Sequence, residues 1–235
     1  MKKWYDRNPL GFALAWVIVY VLVLGTLRAN YGETSLVHLA ALCALSALSL
    51  VFVGVNGLWG TFGLNRWPDN RRFLYFIPFA LLVSVNLWAG VSAHDTGAAQ
   101  VRAVLSMALI GYLEEIIFRG FLFRAMERDG VKRAIVISAV TFGAGHIVNL
   151  LTGQGSLNTV LQMVYAIAIG FAFVMVFYKG KSLLPCILTH SLVNMTSRFS
   201  NPNLTAGMEA LMTYGSAAFI LVVAGGYAWY LYKKA

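Results

Sequence analysis

Apolar runs of about 20 residues recur along the whole chain, and they limit its fold more than any other feature. A helix of that length crosses the hydrocarbon core of a bilayer, which is about 30 Å thick. Such a helix also satisfies its own backbone hydrogen bonds where no water is present. The sequence therefore predicts an all-α, polytopic membrane protein with about eight transmembrane helices. The predicted spans lie near residues 9–27, 36–59, 73–91, 101–123, 133–151, 158–178, 182–198 and 209–232.

The composition agrees with lipid as the solvent. Charged residues make up 11% of the chain and hydrophobic residues 59%. A soluble domain would have roughly 25% charged and 45–50% apolar residues. The two cysteines, Cys43 and Cys186, both lie in apolar runs, so neither a disulfide framework nor a Cys-rich metal site is expected.

Most of the 18 basic residues lie at alternate ends of the predicted spans. Because positive charge is retained on the cytoplasmic side of a membrane, this pattern predicts that both termini are cytoplasmic. It also makes nucleic acid an unexpected partner, since the net charge of +9 forms no single patch. The loops between spans on the other side of the membrane contain only Arg28, Arg102 and Arg198. The basic joints contain Lys2, Lys3, Arg7, Arg66, Arg71, Arg72, Arg124, Arg128, Lys132, Arg133, Lys179, Lys181, Lys233 and Lys234.

Neither an internal repeat nor a low-complexity tract divides the chain, so residues 1–235 are expected to form one domain. Its motif-bearing core extends over about residues 101–198. The first apolar run is too long for the h-region of a signal peptide and is interpreted as the first span. The expected location is the cell membrane, with multiple passes through the lipid bilayer.

Three charged residues interrupt the fourth span, in "GYLEEIIFRGFLF" at residues 111–123. Each charge at the centre of a bilayer costs roughly 2.5–3.5 kcal/mol. Glu115 and Arg119 are four residues apart and can pair on one helix face. A buried ion pair could serve helix packing alone, but Glu114 has no counter-ion in its own span. An unpaired intramembrane carboxylate is a candidate functional residue.

Two further spans contain polar residues at membrane depth. The fifth contains His146 in "TFGAGHIVNL", and the seventh contains His190 and Asn194 in "PCILTHSLVNM". Each of these alone is typical of hydrogen bonding between helices. Together with Glu114 they lie roughly 12–22 Å from the cytoplasmic helix ends at helical rise. A carboxylate, two imidazoles and an amide in one layer indicate a site.

This set of residues permits more than one chemistry. A carboxylate and an imidazole can deprotonate a water molecule, and an imidazole beside an amide can stabilise an oxyanion. Glu114, His146 and His190 could instead bind zinc and leave one position open for water. Both routes end in attack by water on a carbonyl group. Cys186, four residues before His190, is a weaker candidate nucleophile.

The sequence also resembles a known family at these positions. "EEIIFR" is similar to an EExxxR motif, "FGAGH" to FxxxH and "HSLVN" to HxxxN, in the order found in the CPBP family of CAAX proteases and bacteriocin-processing enzymes (ABI family), which is related to the type II CAAX prenyl endopeptidases. The resemblance implies an eight-helix intramembrane endopeptidase whose cavity opens towards the cytoplasm and the membrane. It implies that Glu114 and His146 activate water and that His190 and Asn194 form the oxyanion site. It also implies that Glu115 and Arg119 support these four residues.

The sequence therefore favours a glutamate-dependent intramembrane endopeptidase that acts on a membrane-associated peptide or protein. No cofactor is expected to be obligatory. Zinc is the alternative, because the family is often labelled as metalloproteases. Two other functions stay open. One is a proton- or cation-coupled transporter that uses the same titratable residues as a relay. The other is a non-enzymatic immunity or scaffold protein.

Overall fold

The fold is all-α, as predicted, in the computed structural model, which describes residues 1–68 and 77–234. Within these ranges the chain forms no β-strand, and Val91 and Ser200 form an isolated bridge. We number the helices in chain order. They are α1 (Lys2–Arg7), α2 (Pro9–Tyr31), α3 (Leu36–Val55), α4 (Ile77–Leu87), α5 (residues 97–127), α6 (Val131–Leu151), α7 (Ser156–Gly180), α8 (Leu184–Ser197) and α9 (Ala206–Lys233).

Five of these helices, α2, α3, α6, α7 and α9, are long and apolar enough to cross a membrane. The chain is thus a multi-pass membrane protein. The count of eight spans and the cytoplasmic location of both termini stay predictions. Helix α5 is long but contains charged residues, and α8 is short. The span predicted at 73–91 begins in residues outside the described ranges, as do Arg71 and Arg72.

Local sequence signals mark several helix ends. The Asn8 side chain accepts a hydrogen bond from the Gly11 amide at 2.8 Å and so caps α2. Helix α7 ends where Lys181 adopts a left-handed conformation with φ of 55°. Helix α8 begins three residues later, so α7 and α8 form a tight hairpin. Pro185 lies in the first turn of α8, where proline is readily accommodated.

Two glycines allow the site-bearing helices to approach closely. A Cβ atom at Gly111 of α5 would lie 2.6 Å from the Ser191 amide nitrogen of α8. A Cβ atom at Gly143 of α6 would lie 2.7 Å from the Ile167 amide nitrogen of α7. Both distances are far below van der Waals contact, so only glycine fits. The crossings bring the polar residues of α5, α6 and α8 towards one point.

Aromatic packing fills the half of the bundle that contains the N-terminus and the end of α5. Phe121 of α5 contacts Phe12 at 5.3 Å, Phe52 at 5.9 Å and Phe62 at 5.5 Å between ring centroids, in edge-on geometry. All four rings are almost completely buried. Edge-to-face pairs add stability beyond the area that they bury. This aromatic core holds α2, α3 and α5 together.

Candidate active site

The site is a cavity of about 350 Å³ enclosed by helices from across the chain. Glu114 of α5, His146 of α6, and His190 and Asn194 of α8 all line it. The four residues predicted to share one layer therefore do so around a common space. Glu115 and Arg119 do not line this cavity, and both are completely buried behind it.

Glu114 is held at the cavity wall by two other helices. The Tyr20 hydroxyl of α2 donates a hydrogen bond to Oε1 at 2.5 Å. Nε2 of His190 lies 3.5 Å from Oε2. Glu114 is only 8% exposed, and its exposure is towards the cavity. The carboxylate that lacked a partner in its own span thus has a hydrogen-bond donor in α2 and an imidazole nitrogen beside it in α8.

His190 is oriented by the second carboxylate of the motif. Its Nδ1 lies 2.8 Å from Oε1 of Glu115. An ionised carboxylate only accepts hydrogen bonds, so Nδ1 carries the proton and donates. Nε2 is then the nitrogen that points to Glu114. A second hydrogen bond of this kind fixes both the tautomer and the angle of an imidazole ring.

Glu115 and Arg119 form the ion pair that their spacing predicts. Nη1 of Arg119 donates to Oε1 of Glu115 at 3.0 Å. Nη2 donates to the Gly170 carbonyl oxygen of α7 at 3.3 Å. The guanidinium carbon also lies 4.3 Å from the centre of the Phe142 ring and 5.4 Å from that of Phe173. Cation–π contacts of this kind are strongest where water is excluded.

The remaining predicted residues lie on the cavity wall. The His146 ring packs edge-on against Phe142, with 5.5 Å between ring centroids. Phe142 contacts the His190 ring in the same way at 5.6 Å. Phe142 therefore spaces the two imidazoles. The Asn194 side chain is partly exposed to the cavity one turn beyond His190.

Tyr20 is the site residue that sequence reasoning missed. It begins a π-helical turn, Tyr20–Leu24, in the middle of α2. Such turns are rare and are often found at functional sites. A second π-helical segment, Ile116–Phe123, contains Arg119. A tyrosine in an apolar run carries no sequence signal for this contact, because its partner is 94 residues away.

Zinc on Glu114, His146 and His190 stays the alternative. Among residues 1–68 and 77–234, no group of three or more His, Cys, Asp and Glu side chains is arranged to hold a metal. Tyr20 and Glu115 engage Oε1 of Glu114 and Nδ1 of His190, which leaves Oε2 and Nε2, 3.5 Å apart, without these partners. A zinc site requires all its ligand atoms at about 2.0–2.2 Å from one ion.

Cys186, the alternative nucleophile, lies away from the cavity wall. Its thiol donates to the Phe173 carbonyl oxygen at 3.6 Å, and the residue is completely buried. Reactive cysteines need access and a basic neighbour. The geometry thus places this thiol in the packing between α7 and α8.

Comparison with known families gives the same assignment as the motifs. Residues 96–196 match the family described as type II CAAX prenyl endopeptidase Rce1-like. This segment is an Rce1-like domain. It is less than half of the chain, and it contains Glu114, Glu115, Arg119, His146, His190 and Asn194.

The Rce1-like family is a family of proteases, so the resemblance read from the three motifs is confirmed. Tyr20 lies outside the Rce1-like domain, on a helix that the family match does not include. No curated protein and no solved structure matches the chain in the same comparisons.

Proposed function

We propose that this protein is an intramembrane endopeptidase that hydrolyses a peptide bond of a membrane-associated protein or peptide, with Glu114 as the general base. One observation carries the proposal. The Glu114 carboxylate and Nε2 of His190 meet at the cavity wall, 3.5 Å apart, and each side chain has its own hydrogen-bond partner, Tyr20 for Glu114 and Glu115 for His190. Fixed orientation of this kind is what a hydrolytic site needs, because it avoids reorganisation during reaction.

The proposed reaction uses one water molecule. Glu114 accepts a proton from the water molecule while the water oxygen bonds to the carbonyl carbon of the substrate. The tetrahedral intermediate then collapses, the C–N bond breaks, and the proton on Glu114 passes to the leaving nitrogen. The products are a carboxylate and an amine. A separation of 3.5 Å allows Oε2 of Glu114 and Nε2 of His190 to contact the same water.

The distances favour a different division of roles from the one that the family resemblance implies. His190, rather than His146, is the imidazole beside Glu114. His146 and Asn194 are then the donors available for the oxyanion on the cavity wall. Glu115 and Arg119 act through His190, which they position without touching the substrate.

A transporter is the less favoured candidate. A proton or cation relay needs polar groups across the whole membrane. Behind Glu114 the described part of the chain has the buried Glu115–Arg119 pair and then the aromatic core around Phe121. The polar layer thus ends at one depth, as a hydrolytic site requires.

Identification of the substrate is the experiment that tests the proposal most directly. Membranes of cells that produce the wild-type protein are compared by proteomics with membranes that contain the Glu114→Ala protein. We expect at least one precursor to accumulate with the variant, because its cleavage stops. If no precursor accumulates under any growth condition, the protease proposal fails. A Glu114→Gln protein that keeps a biological protection phenotype would indicate a scaffold instead.

Asn194→Ala is expected to lower turnover by roughly 10²–10³, the usual loss for one oxyanion donor. Substrate binding should change little, because the bond forms mainly in the transition state. The measurement is kcat and KM on the identified substrate. A rise in KM with unchanged kcat would show that Asn194 binds substrate and does not stabilise the oxyanion.

The same protein preparations test the metal question. One equivalent of tightly held zinc, lost together with activity in His190→Ala, would overturn the expectation that no cofactor is obligatory.

Tyr20→Phe is expected to lower kcat by about tenfold or more, since a hydrogen bond to a charged group contributes roughly 1.5–3 kcal/mol. The phenyl ring fills the same space, so thermal stability should fall by no more than the lost hydrogen bond contributes. Tyr178→Phe, at the far end of α7, is the matched control for loss of a hydroxyl. Equal activity of both variants would show that Tyr20 does not position Glu114.

A further inference from the structure

The cavity lies in one half of the helix bundle, measured along the membrane normal. Most of its lining comes from the C-terminal halves of α2, α6 and α8 and from the N-terminal halves of α5 and α7, and the innermost part, with Glu114, Phe118 and Phe173, lies just past the midpoints of α5 and α7. These five half-helices all lie towards the same side of the membrane, because consecutive spans run in opposite directions. Arg28, Glu33, Gln154 and Arg198 are the partly exposed residues at its rim. The cavity opens at this end.

The opposite end is closed by packing. Beyond Glu114, the first side chains are those of Glu115 and Arg119, which have no exposed surface. Beyond them Phe121, Phe123 and Phe177 are also fully buried. Packing at this density leaves no passage for a peptide. In the described ranges, the cavity therefore has access from one side of the membrane.

The closed end is also the basic end. The rim has fewer basic residues, and two of its arginines pair with acids. Arg28 pairs with Glu33 at 3.0 Å, and Arg198 pairs with Glu33 and, at 2.7 Å, with Asp95. Because loops rich in Lys and Arg are retained on the cytoplasmic side, the charge distribution makes the closed end the cytoplasmic one. The basic residues of the closed end within the described ranges are Lys2, Lys3, Arg7, Arg66, Arg124, Arg128, Lys132, Arg133, Lys179, Lys181, Lys233 and Lys234.

We infer that the cavity opens to the non-cytoplasmic side, and that its substrates are extended peptide segments of exported or membrane-anchored proteins presented on that side. The substrate class rests on the proposed function, whereas the direction of opening does not. The inference reverses the cytoplasmic opening that the family resemblance implies. It follows from the lining of the cavity and the distribution of charge in this chain.

The rim and walls also limit the chemistry of the segment. At the rim each cation already has an anionic partner, so a charged substrate gains little there. Below the rim, apolar side chains such as Leu24, Ile110 and Ile169 line the walls together with polar ones such as Asn86 and Gln162. The apolar part of the wall binds apolar side chains through area removed from water. The segment cleaved should thus have apolar side chains and no fixed charge next to the bond.

Cysteine labelling of intact cells tests the direction of opening. Cys43→Ser removes the exposed cysteine, while Cys186 is completely buried. Single cysteines then replace Gln154 at the rim, Asn30 at the same end and Asp129 in the exposed loop at the basic end. A charged, membrane-impermeant maleimide should label Gln154→Cys and Asn30→Cys in intact cells. Labelling of Asp129→Cys should be lost unless the membrane is permeabilised. The reverse pattern would overturn the inference.

Mapping of cleavage sites separates the substrate class from the proposed function. New protein termini that depend on Glu114 should lie in non-cytoplasmic segments. Termini in cytoplasmic segments would refute the inference and leave the protease proposal intact. Labelling as expected, with no Glu114-dependent termini, would refute the proposed function and the substrate class while the direction of opening stands.

Discussion

Glu114→Gln should lower the hydrolysis rate of the purified protein by about 10²–10⁴, the usual contribution of a general base. The amide has the same shape as the carboxylate but does not accept a proton from water. Its carbonyl oxygen can still accept the hydrogen bond from Tyr20, so the site should keep its shape. Substrate binding and thermal stability should therefore stay close to those of the wild type.

The measurement is a single-turnover rate on the identified substrate, in detergent or in liposomes. Glu209→Gln is the matched control, because Glu209 is an exposed glutamate in the first turn of α9. It should have the wild-type rate. Activity of Glu114→Gln within tenfold of the wild type would mean that another residue activates the water.

Arg119→Ala is expected to destabilise the fold by about 3–5 kcal/mol, because it leaves Glu115 buried without its counter-ion. The substitution also empties the space between the Phe142 and Phe173 rings and frees the Gly170 carbonyl oxygen. Activity should fall with stability, since Glu115 without Arg119 no longer has a fixed orientation from which to hold His190.

Thermal unfolding in detergent measures this effect. Arg128→Ala, in an exposed loop, is the control for loss of an arginine and should have the wild-type Tm. Arg119→Lys should lie between the two, because a lysine can meet Glu115 but cannot also donate through a planar fork to Gly170. A normal Tm for Arg119→Ala would show that the ion pair contributes nothing to the fold.

Sequence patterns within single helices predict several of the helices and one of the contacts in this protein. The apolar runs predict α2, α3, α6, α7 and α9, because the length of a spanning helix is set by the bilayer. The spacing of four residues predicts the ion pair of Glu115 and Arg119. Both signals lie within one helix, so a sequence can carry them.

Contacts between distant helices had no such signal. His190 meets both glutamates across 75 residues or more, and Tyr20 meets Glu114 across 94. Which face each helix turns to the others depends on close crossings such as that of Gly111 with Ser191. Whether Pro185 kinks or begins a helix likewise depends on where the previous helix ends.

The two adjacent glutamates of α5 fix the rotation of this helix about its axis. Consecutive residues of a helix point about 100° apart, so Glu114 faces the cavity while Glu115 faces the protein interior. A rotation of α5 by one residue would bury the Glu114 carboxylate and move the Glu115 carboxylate into the cavity. The rotational position of the helix is therefore fixed. Helix α2, by contrast, is mostly exposed to lipid and meets Glu114 through the Tyr20 hydroxyl. The N-terminal half of α2 is fixed in the aromatic core, so the Tyr20 hydroxyl ties the other half of this helix to Glu114.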